Sequence, residues 1–91
     1  MATSVRTTDH DLIKRWVEER GGTPSVVATT WDGSSGVLSV DFGEEAVVGL
    51  EEISWDEFFR IFEESDLEFM FEEGEEGHFY AFDARGAESQ I

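Results

Sequence analysis

The chain has 91 residues, 40% of them apolar and 13% aromatic, with 22 acids against six bases and a net charge of −16. That is one domain with enough apolar material for a core, so wholesale disorder is excluded despite the charge. The acidity argues against direct contact with nucleic acid or an anionic membrane surface. The lack of cysteine excludes disulfides, thiolate metal sites and cysteine nucleophiles.

No apolar run approaches the roughly 20 residues of a membrane span, and the N-terminus has no signal-peptide pattern, so a cytoplasmic domain is expected. Residues 1–6 show no periodicity and are expected to fray. A helix is predicted over residues 8–20: Thr8 or Asp9 can cap it, and Leu12, Ile13, Trp16 and Val17 form one apolar stripe. Gly21-Gly22 and then Pro24 end it. Ser25–Trp31 and Val37–Phe42 read as strands joined through Asp32-Gly33-Ser34-Ser35-Gly36, a turn composition that lacks the lysine of a phosphate loop.

Residues 43–53 are ambiguous between loop and a short strand at Ala46-Val47-Val48. Ser54 and Glu57 then form a capping-box pattern that opens a second helix ending near Ser65. Its positions Trp55, Phe58, Phe59 and Phe62 make a nearly solid aromatic face, read as core. Leu67, Phe69 and Phe71 alternate with Glu68, Met70 and Glu72 in a third strand, and residues 78–83 return as a fourth. Residues 84–91 read as a loose tail. The expected fold class is α+β: one domain with its ordered core over 8–83, ordered helix-hairpin-helix-hairpin, with an antiparallel sheet packed against the two helices.

The charge is lopsided. Residues 1–40 hold five acids and four bases, a net of −1, whereas residues 41–91 hold seventeen acids with only Arg60 and Arg85, a net of −15. A solvated surface is the commonplace reading of such acidity. Halophilic adaptation would also favour few lysines, as with the single Lys14, but would not leave the first half near neutral. The more specific reading is a face for a basic partner, carried by Glu57, Glu63, Glu64, Glu68, Glu72, Glu73, Glu75 and Glu76. Acids four apart on a helix lie about 6 Å apart, and alternate residues on a strand about 6.6 Å. Such rows approximate the spacing of backbone phosphates, as in a DNA mimic that blocks a nucleic-acid-binding protein.

Catalytic chemistry finds little support. His10 and His78 are the only imidazoles, and no nucleophile motif stands beside either. Carboxylates are too abundant for any pair to signal a glycosidase. Glu72-Glu73-Gly74-Glu75-Glu76 lacks the alternating Asp pattern of a calcium loop. No catalytic residue, metal site or cofactor is therefore expected. Trp31 and Tyr80 are the candidates for exposed aromatic contacts.

The segments Thr7-Thr8-Asp9-His10-Asp11, Arg20-Gly21-Gly22 with Pro24, and Ile53-Ser54-Trp55-Asp56-Glu57-Phe58-Phe59 resemble a group of small uncharacterised bacterial proteins. These share a Thr-x-Asp-His opening, an Arg-Gly-Gly-x-Pro break and an Ile-Ser-Trp-x-Glu-Phe-Phe helix start. Some carry the label glucan branching enzyme, a mislabelling, since such enzymes are large barrels that 91 residues cannot build. The resemblance implies a shared fold and binding role, with no catalytic residue to carry over.

The expectation is a non-enzymatic acidic interaction module that binds a basic protein, with the DNA-mimic inhibitor as its sharp form. The alternative is a cytosolic domain whose acidity serves solubility or halophilic adaptation, without a dedicated basic partner.

Overall fold

A computed structural model describes residues 3–43, 49–73 and 80–85. Six strands and two helices follow in the order β1 (Thr3–Thr7), α1 (His10–Glu19), β2 (Thr23–Val27), β3 (Leu38–Asp41), β4 (Leu50–Glu52), α2 (Trp55–Glu64), β5 (Leu67–Glu73) and β6 (Tyr80–Ala84). A single 3-10 turn, Ala28–Thr30, leaves β2. The chain is a small compact α+β domain.

Both helices begin as their residue types dictate. The Asp9 side chain accepts from the backbone N–H groups of Asp11 and Leu12, and Ser54 Oγ accepts from Glu57 N–H at 3.1 Å. Each cap satisfies amide donors that have no partner inside the helix. At the other end of α1, Gly22 N–H donates to Val17 C=O and Gly21 N–H to Glu18 C=O, with Gly21 at φ +76°. This double closure favours glycine at the left-handed position. The Arg-Gly-Gly and Ser-Trp segments are therefore the stop of one helix and the start of the other.

The strands form two three-stranded antiparallel sheets, β1-β5-β6 and β3-β2-β4, in place of the single sheet expected. Two strands unrecognised in the sequence complete them. The N-terminal residues expected to fray form β1, in which Val5 lies opposite Phe71 and Thr7 opposite Phe69. Its single apolar residue gave no readable alternation, and the strand is held by pairing along β5. Leu50–Glu52, inside the ambiguous stretch, pairs with β2 as β4; Ala46-Val47-Val48 lies outside the described residues. Strand β2 pairs with β3 and β5 with β6, both antiparallel, but β2 runs Thr23–Val27 rather than Ser25–Trp31, and β6 extends to Ala84, into the residues expected as a loose tail. The Asp32 loop is a turn: its carboxylate accepts from Ser35 and Ser34 N–H groups, which hold its pKa below the ordinary value.

The core unites both sheets and both helices. Ile13, Trp16 and Val17 of α1 and Phe58, Ile61 and Phe62 of α2 are buried with Val26, Leu38, Val40, Phe69 and Phe71. The Trp16 ring packs against Phe69 and Phe71 of one sheet and against Phe42, just beyond β3 of the other. Tyr80 is half-buried rather than exposed; its hydroxyl accepts from Val40 N–H at 3.1 Å and pairs with Ser39 Oγ at 3.2 Å, tying β6 to β3. Trp31 likewise packs half-buried against the core. No helix among the described residues is long and apolar enough to cross a membrane.

Candidate acidic interface

Burying Phe58, Ile61 and Phe62 turns Glu57, Arg60 and Glu64 outward on α2, at i, i+3 and i+7. Arg60 donates to Glu57 at 2.6 Å and to Glu64 at 3.2 Å, and also to the Ser34 carbonyl. The Glu57 bond, followed by the charges of Glu57 and Glu64, raises the Arg60 pKa further. One guanidinium is thus held between two carboxylates.

The same arrangement recurs twice. Arg85 donates to Glu63 at 3.2 Å and lies 3.8 Å from Asp66, while its remaining N–H groups bond the Leu67 carbonyl. Glu63 also meets His10 Nε2 at 2.8 Å, and the imidazole stacks on Phe59 at 4.1 Å between centroids. Arg85 and then His10 hold the Glu63 carboxyl below the ordinary carboxylate pKa. His10 is a clasp between the start of α1 and the middle of α2. The third arrangement lies on the polar face of the β1-β5-β6 sheet. There Arg6 donates to Glu68 at 2.7 Å and to Asp83 at 3.3 Å. Glu68 is only 7% exposed. A carboxylate so nearly buried requires such a partner.

The predicted acidic residues with described side chains, Glu72 apart, lie at different arginines. Glu57 and Glu64 meet at Arg60, Glu63 belongs to the Arg85 cluster, and Glu68 is enclosed at Arg6. Glu72 is half-buried on β5 without a cationic partner among the described residues. Glu73 ends β5 but its side chain lies outside the described set, as do Glu75, Glu76 and His78.

Other carboxylates stand open. Glu51 and Glu52 on the edge strand β4, and Asp56 in the first turn of α2, are exposed with no cation within 4 Å among the described residues. Glu18, also exposed, accepts from Trp55 Nε1 at 3.1 Å, which brings it to the same helix start. Glu51, Glu52 and Asp56 belong to the acidic half of the sequence but lie outside the acids expected to form the face, which begin at Glu57. The available signal was cationic: no Lys or Arg occurs between Arg20 and Arg60.

Among the described residues, no group of three His, Asp or Glu side chains could hold a metal ion. One apolar cleft of about 270 Å³ opens between the start of β3, the end of α2 and β6. Its lining carries no titratable group. No known protein family, curated protein or solved structure matches the chain.

Proposed function

We propose that this protein is a non-enzymatic interaction module whose acidic surface binds a basic protein, in its sharp form a nucleic-acid-binding protein that the module blocks by presenting carboxylates where phosphates would lie. The observation that carries this reading is the bracketing of Arg6, Arg60 and Arg85, each by two carboxylates among the described residues. Each cluster keeps a net negative charge, and its guanidinium is engaged in holding its own acids. Fixed carboxylates lose less side-chain freedom on binding than mobile ones. Around them, Glu51, Glu52 and Asp56 add charge with no cation within reach among the described residues. A field of this sign steers a basic partner and makes association fast and salt-sensitive.

The test is a pull-down of the tagged protein from host lysate at low and high salt, followed by titration calorimetry with the captured protein. Two charge-changed variants accompany it: Glu51→Lys/Glu52→Lys/Asp56→Asn, and Glu72, Glu73, Glu75 and Glu76 all changed to Lys. Capture of a basic protein that is lost at high salt and in either folded variant supports the reading. Absence of any low-salt partner leaves the acidity to solubility and overturns it.

A further inference from the structure

Strand β3 is an edge of its sheet, and its hydrogen-bond alternation can be read from the register. Val27 N–H donates to Val37 C=O at 2.9 Å, and Ser25 lies opposite Ser39, with Val26 opposite Leu38. Antiparallel pairs alternate between bonded and non-bonded positions. Val37, Ser39 and Asp41 therefore bond toward β2, whereas Leu38 and Val40 direct N–H and C=O to the open side. At Val40 that side is occupied by the Tyr80 hydroxyl. At Leu38 no group among the described residues takes the place.

The apolar cleft lies beside that open position. Val37, Leu38, Ile61, Ser65, Leu67 and Phe82 line it, and Val37 is 56% exposed, unusual for an apolar side chain here. At about 270 Å³ it has room for an aliphatic or aromatic side chain, since a dry cavity of about 150 Å³ holds benzene. Ser65 is the C-cap of α2, where the last carbonyls carry partial negative charge. Its exposed neighbours Glu64 and Asp66 each share an arginine, Arg60 and Arg85, with a second carboxylate, Glu57 and Glu63, so two carboxylates stand against each guanidinium beside the cleft. No Lys or Arg lines the cleft.

We propose that an extended segment of a basic partner adds as a strand to the β3 edge at Leu38, inserting one apolar side chain into the cleft and placing Lys or Arg two residues to either side toward Glu64 and Asp66. Strand addition draws affinity from main-chain hydrogen bonds and specificity from pockets for alternate side chains. Residues two apart on a strand share a face about 6.6 Å apart, which sets the apolar and cationic side chains together. This inference rests on the basic-partner reading and names its anchor.

The test uses the synthetic peptide acetyl-Lys-Thr-Leu-Thr-Lys-amide, with a Leu-to-Asp version, a version N-methylated at the leucine, and penta-lysine. Binding is followed by amide chemical shifts and hydrogen exchange of the 15N-labelled protein at low salt. The expected result is shifts at Val37 and Leu38, Leu38 amide exchange slowed at least tenfold, and at least tenfold weaker binding of the Asp and N-methyl peptides. Ser65→Trp, a neutral change at an exposed cap that covers the cleft, should weaken the leucine peptide at least tenfold while leaving penta-lysine unaffected. Equal binding of leucine, Asp and N-methyl peptides, or unchanged Leu38 exchange at saturation, overturns the inference while salt-sensitive penta-lysine binding leaves the basic-partner reading standing. Failure of every cationic peptide to bind at low salt overturns both.

Discussion

Replacing Gly22 by Ala tests the packing of α1 against the β3-β2-β4 sheet. A Cβ there would lie 2.9 Å from Phe42 Cε1, Val17 Cγ1 and Val40 Cγ1 together, closer than carbon atoms approach without displacement. Three side chains from three places must then yield at once. Overpacking of this kind costs about 1–3 kcal/mol, while the loss of glycine freedom in the unfolded chain returns about 0.4–1 kcal/mol. The net destabilisation should be about 1–2 kcal/mol, with each kcal/mol lowering Tm by about 4–8 °C in a domain of this size. Gly21→Ala is the contrasting change: nothing lies within 4 Å of its Cβ, and its cost of about 1–2 kcal/mol arises from the left-handed backbone at φ +76°. Urea unfolding followed by tryptophan fluorescence measures both, alone and combined with Val40→Ala. Removing the Val40 methyl groups opens space beside position 22, so Gly22→Ala should be cheaper in that background by about 0.5 kcal/mol or more. Gly21→Ala should add independently. Strict additivity of Gly22→Ala with Val40→Ala would refute the steric account.

Tyr80→Phe removes the hydroxyl that meets Val40 N–H and Ser39, leaving a donor unpaired at the join between the sheets; destabilisation of about 1–2 kcal/mol is expected by urea unfolding. Glu63 has its pKa held below the ordinary 4.5 by Arg85 and then His10. A depressed carboxyl stabilises the fold above its unfolded pKa and loses that contribution as pH falls through the folded value. The stability difference between the wild type and Glu63→Gln should therefore be full at pH 7 and shrink as the pH drops below about 4.5, measured by unfolding at a series of pH values. Raising salt from 10 to 500 mM, a probe range chosen about the roughly 10 Å screening length at 0.1 M, should raise the Tm through weakened self-repulsion. A falling Tm would mean that the arginine clusters outweigh the repulsion.

The parts of the fold written in local periodicity were legible. Helix α1 was expected over 8–20 and occupies His10–Glu19 between its caps, and the alternation of Leu67, Phe69 and Phe71 marked β5. Local patterns could not show that the strands divide into two sheets, because β1 and β5 meet across more than sixty residues of chain. Strand β1 carries one apolar residue, Val5, and β4 is three residues long with two glutamates, so neither has a readable period. The acidic surface was legible as charge but not as geometry. Glu57 and Glu64 could be placed on one face of α2 with Arg60 from spacing alone, yet the enclosure of Glu68 by Arg6 and the bond between Glu63 and Arg85 join residues far apart in sequence. The contacts of His10 were hidden for the same reason, since its partners Phe59 and Glu63 lie on the other helix.

A chain of charge −16 must also explain how it folds, and the distribution of its acids supplies the answer. Part of the acidity is structural: Asp9 caps α1, Asp32 closes a turn, and Asp56 and Glu57 sit at the positive end of α2. Five more carboxylates, with Glu57 again as a sixth, are gathered in pairs around Arg6, Arg60 and Arg85. These acids stabilise the native state, so their number alone is no measure of what a partner could meet. Among the carboxylates that the described structure leaves without a cation, Glu51, Glu52 and Glu72 neither cap a helix nor close a turn, and Asp56 does no more than sit at a helix start. Glu51 and Glu52 are exposed neighbours on β4, where their like charges repel. Neutralising Glu51, Glu52 and Glu72 as Gln should therefore leave stability unchanged or raise it, while weakening the salt-sensitive capture of a basic partner. A loss of stability instead would place these residues in the scaffold and remove them from the interface.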